Sequence, residues 1–205
     1  MFFTEIIFWS WLHYYFCEIA VYYKKYISWK VIFVSFNDSN ITDKDAIKIG
    51  SDDAPLKIVE YINLRCPDSK AYEENVAPFL NNYIENGTVQ RILKHFDKHS
   101  IYLELGNVMN QYLDYSTPVE TYQTIQKLFS EQNDWGTERL TDIPHIAADY
   151  GLSLQDKNRN QAHNVTAEVK AVNVERIPTV FVGDEAFVET IDLDDFKKAV
   201  EKHFL

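Results

Sequence analysis

Val59-Glu60-Tyr61-Ile62-Asn63-Leu64-Arg65-Cys66-Pro67-Asp68-Ser69 holds the end of a strand, a short loop and the opening of a helix. The strand begins at Leu56, after the breaker Asp53-Ala54-Pro55. It alternates apolar and polar residues at first and then becomes mostly apolar, with β-branched members. The helix starts at Pro67, which is tolerated in a first turn because its missing N–H has no intrahelical partner anyway. Ala71, Val76, Phe79, Leu80, Tyr83 and Ile84 recur at helical spacing up to Glu85, and Gly87 stops the run. Pro78 lies inside this helix and predicts a kink. Cys66 therefore stands at a helix N-terminus. Free amides and the macrodipole there favour an anion, so a thiol at this place ionises more readily than a free one. Position alone also fits a buried, inert cysteine.

Further strands follow outward from this stretch. Val89 to Phe96 reads as a second strand. Residues 102–150 read as helical in several pieces, with breaks near Thr117-Pro118, Trp135-Gly136 and Ile143-Pro144. Gly151-Leu152 makes a turn, and Asn158 to Val172 is a further helix. Thr179-Val180-Phe181-Val182 is a strand, Gly183-Asp184 a hairpin signal, and Ala186-Phe187-Val188 the returning strand. Asp192 is placed to cap a last helix running to about His203. The order predicts an α/β chain. Its parallel first part needs a right-handed crossover, its last pair is antiparallel, and helices cover both faces of a mixed sheet.

With 205 residues and 46% apolar content, the chain buries a core without staples. The net charge of -11 argues against phosphate-backbone binding, which needs clustered Lys and Arg. Two cysteines, Cys17 and Cys66, exclude a disulfide-rich scaffold and a cysteine-based metal centre. Residues 1–36 hold almost half of the aromatic residues and three of the four tryptophans, and the acidic excess lies wholly in the rest. Residues 1–40 thus form an aromatic-rich extension, with Asn37-Asp38-Ser39-Asn40 as a candidate linker. Ile6 to Tyr23 has the length of a membrane span, but His13 and Glu18 sit inside it. Glu5 precedes the run and no small-residue cleavage site follows, unlike a secretory leader. An anchor, an amphipathic helix and a segment unrelated to the fold all remain open.

Residues 45–205 resemble thioredoxin-fold proteins of the bacterial DsbA type, whose pattern is an acid in an apolar strand, a short loop, then Cys-Pro-x-Cys opening a helix. The stretch Gly50 to Pro55 looks like the approach to that strand. Arg176-Ile177-Pro178-Thr179-Val180-Phe181-Val182 looks like the cis-proline loop and the strand after it. Over 100 mostly helical residues separate the two motifs, which fits the inserted helical domain of that branch, here about 102–150.

The resemblance assigns expected roles. Cys66 is the nucleophile. Glu60 is a buried acid beside the active site that moves protons. Pro178 is cis, turning the Ile177 backbone towards Cys66, so that Ile177 and Thr179 mark the edge where an extended substrate pairs. Arg65, Pro67 and Asp68 set the thiol's surroundings, Arg65 favouring the thiolate and Asp68 opposing it. The departure is Ser69, which stands where the family has its second cysteine. A hydroxyl cannot resolve a mixed disulfide, although it can donate a hydrogen bond to the thiolate.

These residues imply a thiol–disulfide oxidoreductase or isomerase-like enzyme working with a single nucleophile on protein or peptide thiols and disulfides. No cofactor is bound; glutathione or another low-molecular-weight thiol serves as co-substrate. Resolution by Cys17 is a further route. A redox-inactive peptide-binding or adaptor protein is the alternative, and a glutathione-dependent kappa-like transferase or isomerase a weaker one. Few cysteines and no clean leader point to the cytoplasm, or to membrane anchoring through residues 1–36. His95 and His99 have metal spacing only on a helix, and His95 is near a strand end. Asn164-Val165-Thr166 matches a glycosylation acceptor but falls in an expected helix. Trp135 reads as packing.

Overall fold

A computed structural model describes residues 36–205. The aromatic extension, with Cys17, lies outside the described residues up to Ser35. Five strands form one mixed sheet: β1 (Ile47–Ile49), β2 (Leu56–Ile62), β3 (Val89–His95), β4 (Thr179–Val182) and β5 (Glu185–Val188), in the order β1-β3-β2-β4-β5. β2 and β3 are parallel, with Leu56 opposite Val89 and Ile62 opposite His95. β1 on β3, β4 on β2 and β5 on β4 are antiparallel. The helices are α1 (Pro67–Asn75), α2 (Asn81–Glu85), α3 (Glu104–Asn110), α4 (Pro118–Ser130), α5 (Gln132–Trp135), α6 (Ile143–Asp149), α7 (Asn158–Val172) and α8 (Leu193–Glu201).

The period of two in β2 and β3 sorts their side chains between two faces. On one face, Leu56, Ile58 and Val89 meet Tyr72, Val76 and Leu80 from the first helical segment and Phe196 and Val200 from α8. Further along, Ile62 and Leu93 meet Met109, Ile125, Phe129, Trp135 and Ile143, the apolar residues of the helical insertion. On the other face, Val59, Tyr61, Ile92 and Phe181 pack against Val165, Val169 and Val172 of α7. β2 lies at the sheet centre and is buried on both sides along most of its length. It therefore reads as an apolar run after its first residues.

Several sequence expectations needed correction. The helix expected over 67–85 is interrupted: α1 ends at Asn75, Ala77–Leu80 forms a 3₁₀ turn, and α2 resumes at Asn81. Pro78 lacks the N–H that a continuous α-helix would use. The break expected near Ile143-Pro144 is present as the start of α6, where proline is welcome in the first turn. β1 was not foreseen, since three residues carry too little pattern. The stretch read as a linker packs on the domain. Asn37 N–H donates to Val172 O at 3.0 Å, and Asn40 Nδ2 to Ala171 O at 3.2 Å. Phe36 stands edge-on to Phe181, with ring centroids 5.1 Å apart.

The expected cap is present: Asp192 accepts the N–H groups of Asp194 and Asp195, both at 3.0 Å. Phe196, fully buried, should matter more than this cap. Phe196→Ala should lower unfolding free energy by about 3–5 kcal/mol and Asp192→Ala by about 1 kcal/mol. Urea unfolding of the two variants beside the parent checks both the values and their order.

Candidate active site

β2 ends at Ile62, and the loop Asn63-Leu64-Arg65 carries the chain to α1. Cys66 is the N-cap residue of α1, in extended backbone (φ -76°, ψ 122°), with Pro67 as the first helical residue. Its thiol is the hydrogen-bond partner of Ile177 O at 3.4 Å. The Ile177–Pro178 peptide bond is cis. Two segments 111 residues apart thus meet at one sulfur. Cys66 is 5% exposed and packs in the apolar cluster of Val59, Phe96, Leu103 and Ile177. Thr179 Oγ1 donates to Arg176 O at 2.6 Å, closing the proline loop on itself.

The neighbours of Cys66 differ from expectation. Ser69 is fully buried, but its hydroxyl oxygen accepts the Asn63 N–H at 3.3 Å and forms no hydrogen bond with the thiol among the described residues. Facing inward one turn into α1, it serves the loop instead of the sulfur. Arg65 Nε donates to Gly136 O at 2.7 Å, which ties this side chain to the insertion. Pro67 and Asp68 are exposed on the first turn.

Glu60 is buried, as expected, but is not linked to the thiol. Both its oxygens are held by Arg91: Nε donates to Oε1 at 2.6 Å and Nη2 to Oε2 at 2.7 Å. Arg91 stands on β3, on the same sheet face, and reaches Glu73 of α1 at 2.7 Å and the Tyr122 hydroxyl of α4. Tyr122 donates to Glu73 at 2.5 Å, and its ring lies 5.0 Å from the guanidinium carbon. Burial pushes the Glu60 carboxyl above its ordinary value of 4.5, against the pull of Arg91. The arrangement is a closed, hydrogen-bonded ion cluster with two acids on one base. A second buried base, Lys94, pairs with Glu168 at 2.6 Å on the opposite face, where Tyr61 also donates to Glu168 at 2.5 Å.

The insertion holds the loop before Cys66. Gln132 Nε2 donates to Leu64 O at 2.7 Å and Cys66 O at 3.1 Å. Asn63 Nδ2 donates to Asn107 Oδ1 at 2.7 Å. Gly106 and Gly136 sit flush on the loop: a Cβ on Gly106 would lie 2.3 Å from Asn63 Oδ1, and one on Gly136 2.5 Å from Arg65 Nε. His95, weighed as a metal ligand, accepts the Leu64 N–H at 3.0 Å and pairs with Asp97 at 2.8 Å. Among the described residues, no cluster of three or more acids, histidines and cysteines has a metal-binding arrangement. Trp135 is 3% exposed and donates to Leu128 O at 2.7 Å, a packing residue.

A family profile described as Thioredoxin matches residues 42–202. The chain belongs to the thioredoxin family. Within that family, disulfide bond formation protein D of Bacillus subtilis is 24% identical over 168 residues, covering 75% of each chain. A conserved protein of unknown function from Enterococcus faecalis superposes with a TM-score of 0.78 at 30% identity, over 82% of this chain and 95% of that one. BdbD of Bacillus subtilis, in its oxidised form, gives 0.65 at 22% identity, over 79% and 94%. The catalytic domain of Proteus mirabilis ScsC gives 0.60 at 19%, over 81% and 93%. The DsbA-type resemblance read from the Cys-Pro stretch and the Ile177-Pro178 loop is thereby borne out, as is the thioredoxin-like fold.

Glu73, Arg91, His95, Tyr122 and Gln132 were missed as members of this thioredoxin-family site. A signal did exist for Arg91 and Lys94, since two bases inside a buried strand demand partners. Arg91→Met should destabilise the fold by about 3–5 kcal/mol at neutral pH, because it strands two buried carboxylates. The pH dependence follows from Glu60. Its carboxyl binds a proton more tightly folded than unfolded, so its contribution to stability falls as pH rises above the ordinary value of 4.5. Without Arg91 the upward shift grows, so Arg91→Met should lose stability with rising pH more steeply than the parent. Urea unfolding at a series of pH values upward from the ordinary carboxyl value of 4.5 checks the sign.

Proposed function

We propose that this chain carries out thiol–disulfide exchange with Cys66 as its single nucleophile. The observation that supports this most directly is the meeting of Cys66 Sγ, at the start of α1, with Ile177 O beside Pro178. The relatives named disulfide bond formation proteins support oxidoreductase chemistry of this type. Free amides of the first turn of α1 stabilise a thiolate at the N-cap. That thiolate attacks one sulfur of a substrate disulfide. A new S–S bond forms to Cys66, the old bond breaks, and its electron pair leaves on the second substrate sulfur. The mixed disulfide lies along the Ile177–Thr179 edge.

With Ser69 in place of a second cysteine, a low-molecular-weight thiolate such as that of glutathione attacks the substrate sulfur. It restores the Cys66 thiolate and leaves the substrate joined to the small thiol. The number of disulfides is unchanged, so the chemistry is exchange and not net oxidation. The near-complete burial of Cys66 favours a second reading, a thioredoxin-fold peptide-binding or adaptor protein without turnover.

Iodoacetamide alkylation rate against pH, on a Cys17→Ser background, separates the two. Rapid alkylation of Cys66 in the folded chain at neutral pH is expected, as for an activated thiol at a helix N-terminus. Alkylation no faster than that of an unperturbed thiol, or none in the folded chain, leaves the binding reading. Ser69→Cys gives an independent check. It should form an internal disulfide with Cys66 and oxidise a reduced peptide stoichiometrically without added small thiol, which the parent should not do.

A further inference from the structure

Leu64, two residues before the nucleophile, is held at both of its main-chain polar groups by buried side chains from two different parts of the fold. Its N–H donates to His95 Nε2 at 3.0 Å, and its C=O accepts from Gln132 Nε2 at 2.7 Å. His95 is 3% exposed and Gln132 1%. His95 ends β3, at the sheet, whereas Gln132 opens α5, in the insertion.

The chemistry of the imidazole fixes its role. A ring nitrogen that accepts an N–H carries no proton, so the neutral tautomer with its proton on Nδ1 is required. That proton is donated to Asp97 Oδ1 at 2.8 Å. Asp97 is held in turn by Asn110 Nδ2 at 2.9 Å and Gln111 Nε2 at 3.3 Å, both from the α3 region. Gln132 Nε2 also donates to Cys66 O at 3.1 Å, and that carbonyl accepts Lys70 N–H at 3.1 Å as the first helical bond of α1. The same amide group therefore touches the loop and the first carbonyl of the helix that presents the thiol.

We infer that His95 and Gln132 are positioning residues for Cys66: together they hold Leu64 and the α1 N-terminus so that the sulfur stays at the free amides of the first turn. This rests on the exchange reading above. Neither residue touches a reacting atom. Their effect passes through the backbone of residues 64–66, and a displacement of about 1 Å at a reacting group is enough to lower rates by about a hundredfold. Each leaves a definite defect when removed. Without His95 the Leu64 N–H is buried and unpaired; without Gln132 the Leu64 C=O loses its donor.

The test uses the full chain with Cys17→Ser, and the variants His95→Phe, His95→Gln, Gln132→Leu and Gln132→Glu. His95→Gln places an amide oxygen near the former Nε2, while Gln132→Glu keeps the shape and removes the donor. Alkylation of Cys66 by iodoacetamide is followed against pH, with near-ultraviolet circular dichroism on each variant. His95→Phe and Gln132→Leu should shift the profile to higher pH and slow alkylation at neutral pH by about tenfold. Gln132→Glu should do the same with the fold intact, and His95→Gln should restore the parent profile. Folded variants with unchanged profiles overturn the inference.

Amide hydrogen exchange at Leu64 separates this from failure of the exchange reading. A parent whose Cys66 does not react overturns that reading. If, in addition, Leu64 exchanges as slowly in His95→Phe as in the parent, the positioning role falls too. Fast exchange at Leu64 with Val180 still protected upholds the hold on the loop.

Discussion

Arg91 is fully buried, and a charge in that place is tolerated only if it is paired and hydrogen-bonded on every side. Its partners come from β2 (Glu60), α1 (Glu73) and α4 (Tyr122), so one guanidinium joins the central strand, the helix that opens at Cys66 and the insertion. The apolar clusters on either side of it are non-directional and would accept small shifts of α1 along the sheet. The planar fork of the arginine is not so permissive, since it meets Glu60 through two parallel bonds. The register of α1 on the sheet, and with it the place of Cys66, is set by geometry at this cluster as much as by burial.

That arrangement also changes what the acid can do. In the resemblance Glu60 moves protons, and its burial agrees with a carboxyl held above its ordinary range. Yet both of its oxygens are occupied by Arg91, and the residue facing the interior in the first turn of α1 is Ser69, with no thiol to deprotonate. The missing cysteine and the engaged acid are consistent with one another. With Ser69 at that place, there is no second thiol in the first turn for a buried base to serve.

The central strands, the long α7, the hairpin at Gly183-Asp184 and the Asp192 cap were legible because each has a local signature: alternation, helical spacing, a turn pair, an N-cap side chain. The junction at Cys66 and the proline loop were legible as motifs. What stayed hidden was relational. Nothing near His95 in the chain indicates that its ring meets Leu64, and Gln132 sits in an undistinguished polar run, Glu131-Gln132-Asn133-Asp134. Nothing in the sequence near Gly106 or Gly136 shows that each is required by the close approach of the insertion to residues 63–65. β1 was too short for its pattern to stand out, and Phe36 was grouped with the aromatic extension although it packs on Phe181.

The bond between Cys66 and Ile177 O has one further consequence. A thiol can donate to that carbonyl; a thiolate has no proton to give, and would face the oxygen's lone pairs at 3.4 Å. Ionisation therefore exchanges an attraction for a repulsion at this contact and leaves the carbonyl in want of a donor. The main-chain N–H of an extended segment laid along the same edge is such a donor. On the exchange reading proposed above, arming the sulfur and opening the backbone to a guest are linked through one oxygen atom, and an occupied edge favours the armed form.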